Sequence, residues 1–313
     1  MSPNFDKLLD LLQTSFPLVP EPFKEIALML DSSEETILSA ISSLKTKGVI
    51  RRIGPVFDAE SLGYTSALFG VKVPLEKEEE SADFISTFEG VTHNYHRDDE
   101  INLWFTLTSK TENEMEQIIQ QIKTKIDPQK LLRLRSKKVF KIRAVFGLSR
   151  AEILRPLQSL RMTEDFSILK AIQNDLPLIN RPFKGFAETL DMSEVDLLSY
   201  ITESINNGYI RRYGALLGHR QAGYNYNVMV VFNIPSDKIN EIGTKVSEKL
   251  FVSHCYEREL CADWPFNFYA MVHAKSEEES ALFINELKTI VGSVQSKTLK
   301  SGKEYKKSSL KIL

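Results

Sequence analysis

The chain has 313 residues, 42% of them hydrophobic, 26% charged and 10% aromatic, which is enough apolar mass for about two domains and excludes a disordered chain. Its formal net charge of −2 gives no global attraction to nucleic acid or anionic membrane, so a polyanionic ligand must be met by local cations. No apolar run approaches the roughly 18 residues of a membrane span and the N-terminus lacks a signal-peptide pattern, so a cytoplasmic location is expected.

Apolar residues at helical spacing (Phe5, Leu8, Leu9, Leu12) predict a helix from Phe5 to about Thr14, and a second follows over Glu21 to Met29. Asp31-Ser32-Ser33 before Glu34-Glu35 supplies an N-cap and first-turn acids for a third, which runs to Lys47 and stops at Gly48. With Val49 to Phe57 as a wing, this is the outline of a winged helix-turn-helix. Next come a strand over Tyr64 to Val73, an acid-rich helix at Lys77 to Phe88, and strands near Val91 to His96 and Leu103 to Thr108. A helix over Glu112 to Lys125 and a strand from Leu131 to Arg143 complete the β-α-β-β-α-β order of a ferredoxin-like sandwich.

The pattern then repeats. Pro17-Leu18, Pro22-Phe23 and Lys24 return 160 residues later as Pro177-Leu178, Pro182-Phe183 and Lys184, and Gly48-Val49-Ile50-Arg51-Arg52-Ile53-Gly54 returns as Gly208-Tyr209-Ile210-Arg211-Arg212-Tyr213-Gly214. His93-Asn94-Tyr95-His96-Arg97 matches His254-Cys255-Tyr256-Glu257-Arg258, and Asn102-Leu103-Trp104 meets Asn267-Phe268-Tyr269 after an insertion. The expected fold is therefore α+β and tandemly duplicated. Heads occupy 1–63 and 165–223, ferredoxin-like domains 64–145 and 224–313, and a connector 146–164.

A winged head on such a sandwich resembles the leucine-responsive regulators, which makes DNA binding the first hypothesis from fold alone. The third helix of each copy argues against it. Ser33-Glu34-Glu35-Thr36-Ile37-Leu38-Ser39-Ala40-Ile41-Ser42-Ser43-Leu44 and Ser193-Glu194-Val195-Asp196-Leu197-Leu198-Ser199-Tyr200-Ile201-Thr202-Glu203 open on carboxylates and lack the Arg, Lys, Asn or Gln that pair with base edges. No nucleic-acid partner and no membrane partner is expected.

The chemistry-bearing residues lie on the wings and strands. Arg51-Arg52 and Arg211-Arg212 are either solvated pairs or anion clamps, since a guanidinium grips a carboxylate through two parallel hydrogen bonds. His93, Tyr95 and Arg97 alternate on one strand face, and His254, Tyr256 and Arg258 repeat the arrangement, offering an iron ligand or proton donor beside a cation. His93 and His96 fall on opposite faces and form no closed metal site, and Cys255 and Cys261 match neither redox nor zinc spacing. Trp104, Trp264, Phe266 and Tyr269 are core or pocket wall. Lys141 and Lys306 add cations on the last strand of each copy, or else line a solvated sheet edge.

With the IRR-x-G wing in both copies, HNYHR leading into NLWFTL, and HCYER leading through DWPFN into FYAMVHA, the chain resembles the siroheme decarboxylases over almost its whole length. The resemblance implies two subunit types fused into one chain, packed as a pseudo-heterodimer, with a homodimer of the fused chain left open. It implies removal of the C12 and C18 acetate carboxyl groups of siroheme, giving didecarboxysiroheme on a route to heme or heme d1. No cofactor is required, because iron arrives with the substrate. The expected catalytic residues are His93, His254, Tyr95 and Tyr256, with His93 or His254 as iron ligand. Substrate carboxylates and macrocycle fall to Arg51, Arg52, Arg97, Arg211, Arg212, Arg258, His96, Trp104, Trp264, Lys141 and Lys306. His96 against Glu257, and the Trp264-Pro265 insertion in one copy only, favour one competent site, centred on the second copy. A DNA-binding regulator and a non-catalytic heme sensor or carrier are the alternatives.

Overall fold

The computed structural model describes residues 4–142, 166–218 and 223–312; the connector expected at 146–164, Arg143 and His219 lie outside them. The first copy forms α1 (Phe5–Thr14), α2 (Pro22–Met29), α3 (Glu34–Thr46), β1 (Ile50–Phe57), β2 (Thr65–Lys72), α4 (Glu78–Thr87), β3 (Val91–Arg97), β4 (Leu103–Ser109), α5 (Glu112–Ile126) and β5 (Lys130–Ile142). The second forms α6 (Ser167–Ile172), α7 (Lys184–Thr189), α8 (Glu194–Asn206), β6 (Ile210–Leu217), β7 (Tyr226–Phe232), α9 (Ile239–Ser247), β8 (Val252–Arg258), β9 (Phe268–Ala274), α10 (Glu277–Val291) and β10 (Ser296–Lys307). Side-chain caps set the starts of matching helices: Ser33 and Ser193 accept the third helical amide of α3 and α8, and Thr111 and Ser276 do the same for α5 and α10. None of the described helices is long and apolar enough to cross a membrane.

The described residues group into two compact units, heads with heads and sandwiches with sandwiches: 4–63 with 166–218 and 310–312, and 64–142 with 223–309. Among the described residues of the first unit, neither head closes a wing hairpin of its own. Instead β1 pairs antiparallel with β6, Gly54 opposite Gly214, so the expected wings are two halves of one ribbon. Gly214 sits at φ 156°, and a Cβ there would lie 2.3 Å from the Leu12 carbonyl oxygen at the end of α1. Gly214→Ala should therefore cost about 2 kcal/mol or more in urea unfolding, whereas Gly185→Ala, whose new methyl meets nothing within 4 Å beyond its own chain neighbours and helix backbone, should cost nothing.

The second unit is a closed eight-stranded barrel in the order β10-β3-β4-β2-β5-β8-β9-β7. The two longest strands belong to both copies. β5 pairs with β2 of its own copy through residues 130–135 and with β8 through 136–142. β10 pairs with β7 through 296–300 and with β3 through 301–307. Outer-facing residues such as Phe69, Phe105 and Leu107 pack under α4 and α5, while Val230, Phe268 and Ala270 pack under α9 and α10. The alternate residues (Trp104, Leu132, Leu134, Met229, Tyr269 and Leu299 among them) fill the interior.

Candidate functional site

Residues paired across an antiparallel ladder share a face, so register decides where each candidate points. Tyr95 pairs with Trp104 and Tyr256 with Tyr269, both interior residues; His93 pairs with Thr106 and His254 with Met271. His93, Tyr95 and Arg97 therefore face inward together, as do His254, Tyr256 and Arg258. The rings are set alike, with centroids 6.2 Å apart in both His93–Tyr95 and His254–Tyr256. Arg97 lies 5.6 Å from the Tyr95 centroid, and Arg258 lies 4.8 Å from that of Tyr256.

The copies differ in what surrounds those rings. Each strand carries an irregularity just before its histidine, which places the preceding hydroxyl beside the ring: Thr92 Oγ1 is 3.0 Å from His93 Nδ1, and Ser253 Oγ is 2.8 Å from His254 Nδ1. In the second copy the contact continues, with Ser253 Oγ 2.7 Å from His273 Nε2 and His273 Nδ1 on Asn227 Oδ1. In the first, Thr108 stands where His273 does, and its hydroxyl donates to Ser66 instead, at 3.1 Å. The facing strand differs too. Irregularities at Phe140 and Tyr305 put Val139 opposite Tyr256 and Ile142 opposite His254, but Glu304 opposite Tyr95 and Lys307 opposite His93. One imidazole–phenol pair is bordered by apolar side chains and the other by charged ones.

Several expected site residues have other work. His96 faces outward, held by Glu78 at 2.8 Å and Asp98 at 3.0 Å; Glu78 also accepts from Asn102 and from the Tyr305 hydroxyl, whose pKa rises through burial and that carboxylate. Trp104 and Trp264, each 2% exposed, are barrel core, their rings 5.4 Å apart; Trp104 Nε1 donates to the Ile101 carbonyl and Trp264 Nε1 to Tyr269 Oη. Lys306 donates to the Ser86 and Phe88 carbonyls at the end of α4, and Lys141 to the Lys249 carbonyl just past α9. They act as helix-end cations. Lys306→Met should lower stability by about 1 kcal/mol in thermal unfolding.

The arginines also have partners within the chain. In the first unit Arg52 donates to the Gln173 and Pro55 carbonyls and Arg212 to those of Gln13 and Ala215, so each copy's wing clamps the end of the other copy's first helix. Burial pushes Arg212 down to about 10. Arg211 pairs with buried Asp58 at 2.5 Å, and Arg51 is exposed. In the second unit Arg97 donates to the Leu299 carbonyl and Ser301 hydroxyl, and Arg258 to the Leu134 carbonyl, where β10 and β5 cross between copies. Burial lowers Arg97 to about 10 and lowers Arg258. The inward chemical face of each copy is thus a His–Tyr pair with its buried arginine.

Sequence reasoning missed Ser253, His273 and Asn227 as a connected group. One signal pointed to it: His273 stands where the first copy has Thr108; the alternation that places His254 inward does not bring Ser253 alongside, which only the strand irregularity does. Among the described residues, no three His, Cys, Asp or Glu side chains gather as a metal-ion cluster.

Known proteins match this architecture segment by segment. An AsnC-like ligand-binding domain model matches residues 61–141 and 221–306, and a siroheme decarboxylase NirDL-like HTH domain model matches 6–51 and 165–211. The siroheme decarboxylase of Hydrogenobacter thermophilus is 35% identical over 318 aligned positions, covering 99% of this chain and 95% of the relative. The crystal structure of the siroheme decarboxylase NirDL in co-complex with an iron-uroporphyrin III analogue superposes with a TM-score of 0.74 at 33% identity, covering 98% of this chain and 93% of that one. The siroheme decarboxylase beta subunit of Methanosarcina barkeri is 34% identical, and 97% of it aligns with only 47% of this chain, as a separate protein the length of one copy. With both copies matched and both carried on one polypeptide, the chain belongs to the siroheme decarboxylase family in its fused, single-chain form.

Proposed function

We propose that this chain decarboxylates siroheme at the C12 and C18 acetates, as a carbon–carbon lyase needing no cofactor beyond the iron the substrate brings, and that the second copy's His–Tyr pair is the reacting centre. The observation that carries the choice of centre is the border of that pair: Val139 and Ile142 stand across from Tyr256 and His254, where the first copy has Glu304 and Lys307. An apolar wall beside an imidazole and a phenol suits a flat macrocycle. It also keeps water from the leaving carboxylate.

In the reaction the bond between the acetate methylene and its carboxyl carbon breaks, CO2 departs, and the electron pair left on the methylene carbon delocalises into the macrocycle. A proton then converts that carbon to a methyl group, and Tyr256 is the group we assign to deliver it. Anaerobic incubation of the purified chain with siroheme, followed by mass spectrometry, tests the reading. Loss of two carboxyl groups supports it, and an unchanged mass overturns it. An absorbance shift on adding siroheme without a mass change would instead indicate a carrier.

A further inference from the structure

We propose that His273 is a positioning residue which, through Ser253, fixes the tautomer of His254 so that its Nε2 arrives as a lone-pair donor. The polarity follows from the far end of the chain of contacts. Asn227 Oδ1 only accepts, so the His273 nitrogen that meets it, Nδ1, carries the proton. In the neutral ring Nε2 is then an acceptor, and the Ser253 hydroxyl 2.7 Å away donates to it. The Met271 carbonyl, at 3.5 Å from Ser253 Oγ, is too distant to compete for that single proton. Ser253 Oγ is left to accept, and its 2.8 Å partner, His254 Nδ1, must be the N–H of its ring. One proton per neutral imidazole then leaves His254 Nε2 unprotonated.

The amide at residue 227 thus sets the chemistry of a ring it does not touch. Such orientation of one imidazole nitrogen by a bond to the other is the general way a histidine is prepared to bind a metal or accept a proton. Of the two roles open to His254, iron ligand and proton donor, this polarity fits the first. The first copy has no counterpart among the described residues: Thr92 meets His93, but Thr108 and Ser66 bond each other at 3.1 Å and do not continue from Thr92. The functional consequence rests on the decarboxylase reading; the tautomer assignment does not.

The test has two arms on the full chain. In the ligand-free protein with 15N-labelled histidine, nitrogen shifts should report His254 as the Nδ1–H tautomer and His273 likewise, with the His254 signals assigned by their loss in His254→Ala. Ser253→Ala should remove the His254 preference, and His273→Gln, which keeps an acceptor toward Ser253 and a donor toward Asn227, should retain it. An Nε2–H tautomer of His254 in the wild-type protein overturns the proposal. In turnover, Ser253→Ala and His273→Phe should each lower kcat about tenfold with KM within twofold. The double variant should be no worse than either single one, His273→Gln should recover most of the rate, and Thr92→Val in the first copy should leave it within twofold. An additive double variant, or an unchanged kcat in Ser253→Ala, equally overturns the proposal. If Ser253→Ala fails to fold, the wild-type tautomer and His273→Gln still decide. Should the wild-type chain leave siroheme unchanged, the decarboxylase reading fails while the tautomer measurement stands.

Discussion

Replacing His254 with alanine should reduce siroheme decarboxylation by about 10²-fold or more, and replacing His93 should reduce it less than tenfold. The two rings are related by the duplication and sit identically against their tyrosines, 6.2 Å from each. The difference must come from their surroundings. His254 is braced by Ser253, which continues to His273, and is bordered by Ile142, whereas His93 is bordered by Lys307 and meets Thr92 at its Nδ1. Loss of a group that fixes the macrocycle's position displaces the scissile acetate, and a misplacement of about 1 Å costs roughly 10²-fold. Initial rates under anaerobic conditions, together with the absorption spectrum of the siroheme complex, check the prediction. The spectrum should change in His254→Ala and persist in His93→Ala. Equal losses in both variants would mean two equivalent centres.

Trp104→Ala should lower unfolding free energy by about 3–5 kcal/mol, the range for deleting a large buried aromatic. Trp104 is 2% exposed, packs against Trp264 with the rings tilted, and spends its indole N–H on the Ile101 carbonyl. Its removal opens a cavity in the layer that both copies share, so the barrel should melt as one transition at lower temperature rather than in two steps. Calorimetry with an unchanged Tm would contradict the assignment of this residue to the core.

Much of the fold was legible because its signals are local. Caps at Ser33 and Ser193, the glycine stops at Gly48 and Gly208, and period-two alternation through HNYHR and HCYER each depend on a few neighbours in sequence. The inward face of the two His–Tyr pairs was legible for the same reason. The main-chain partners of the arginines were not legible, because a guanidinium's partner is set by tertiary approach. Nothing near Arg97 in sequence announces the Leu299 carbonyl, and nothing near Arg52 announces Gln173. An arginine met only as a charge invites an anion, yet here buried main-chain oxygens absorb four of six. The helix-end partners of Lys141 and Lys306 were hidden for the same reason: the irregularities at Phe140 and Tyr305 turn these side chains outward. The group at Ser253, His273 and Asn227 needed three strands in register before it existed at all.

The two long strands that pass between copies have a consequence for how the chain comes into being. β3, finished by residue 97, waits for its neighbour until β10 at 301–307 has been made. At the roughly 5–20 residues per second of synthesis, that leaves a sheet edge unpaired for at least about ten seconds. Contacts between segments so far apart in sequence are slow to form. Carrying both copies on one polypeptide makes the meeting of these strands an intramolecular event, so the strand always arrives, in equal number and at high local concentration.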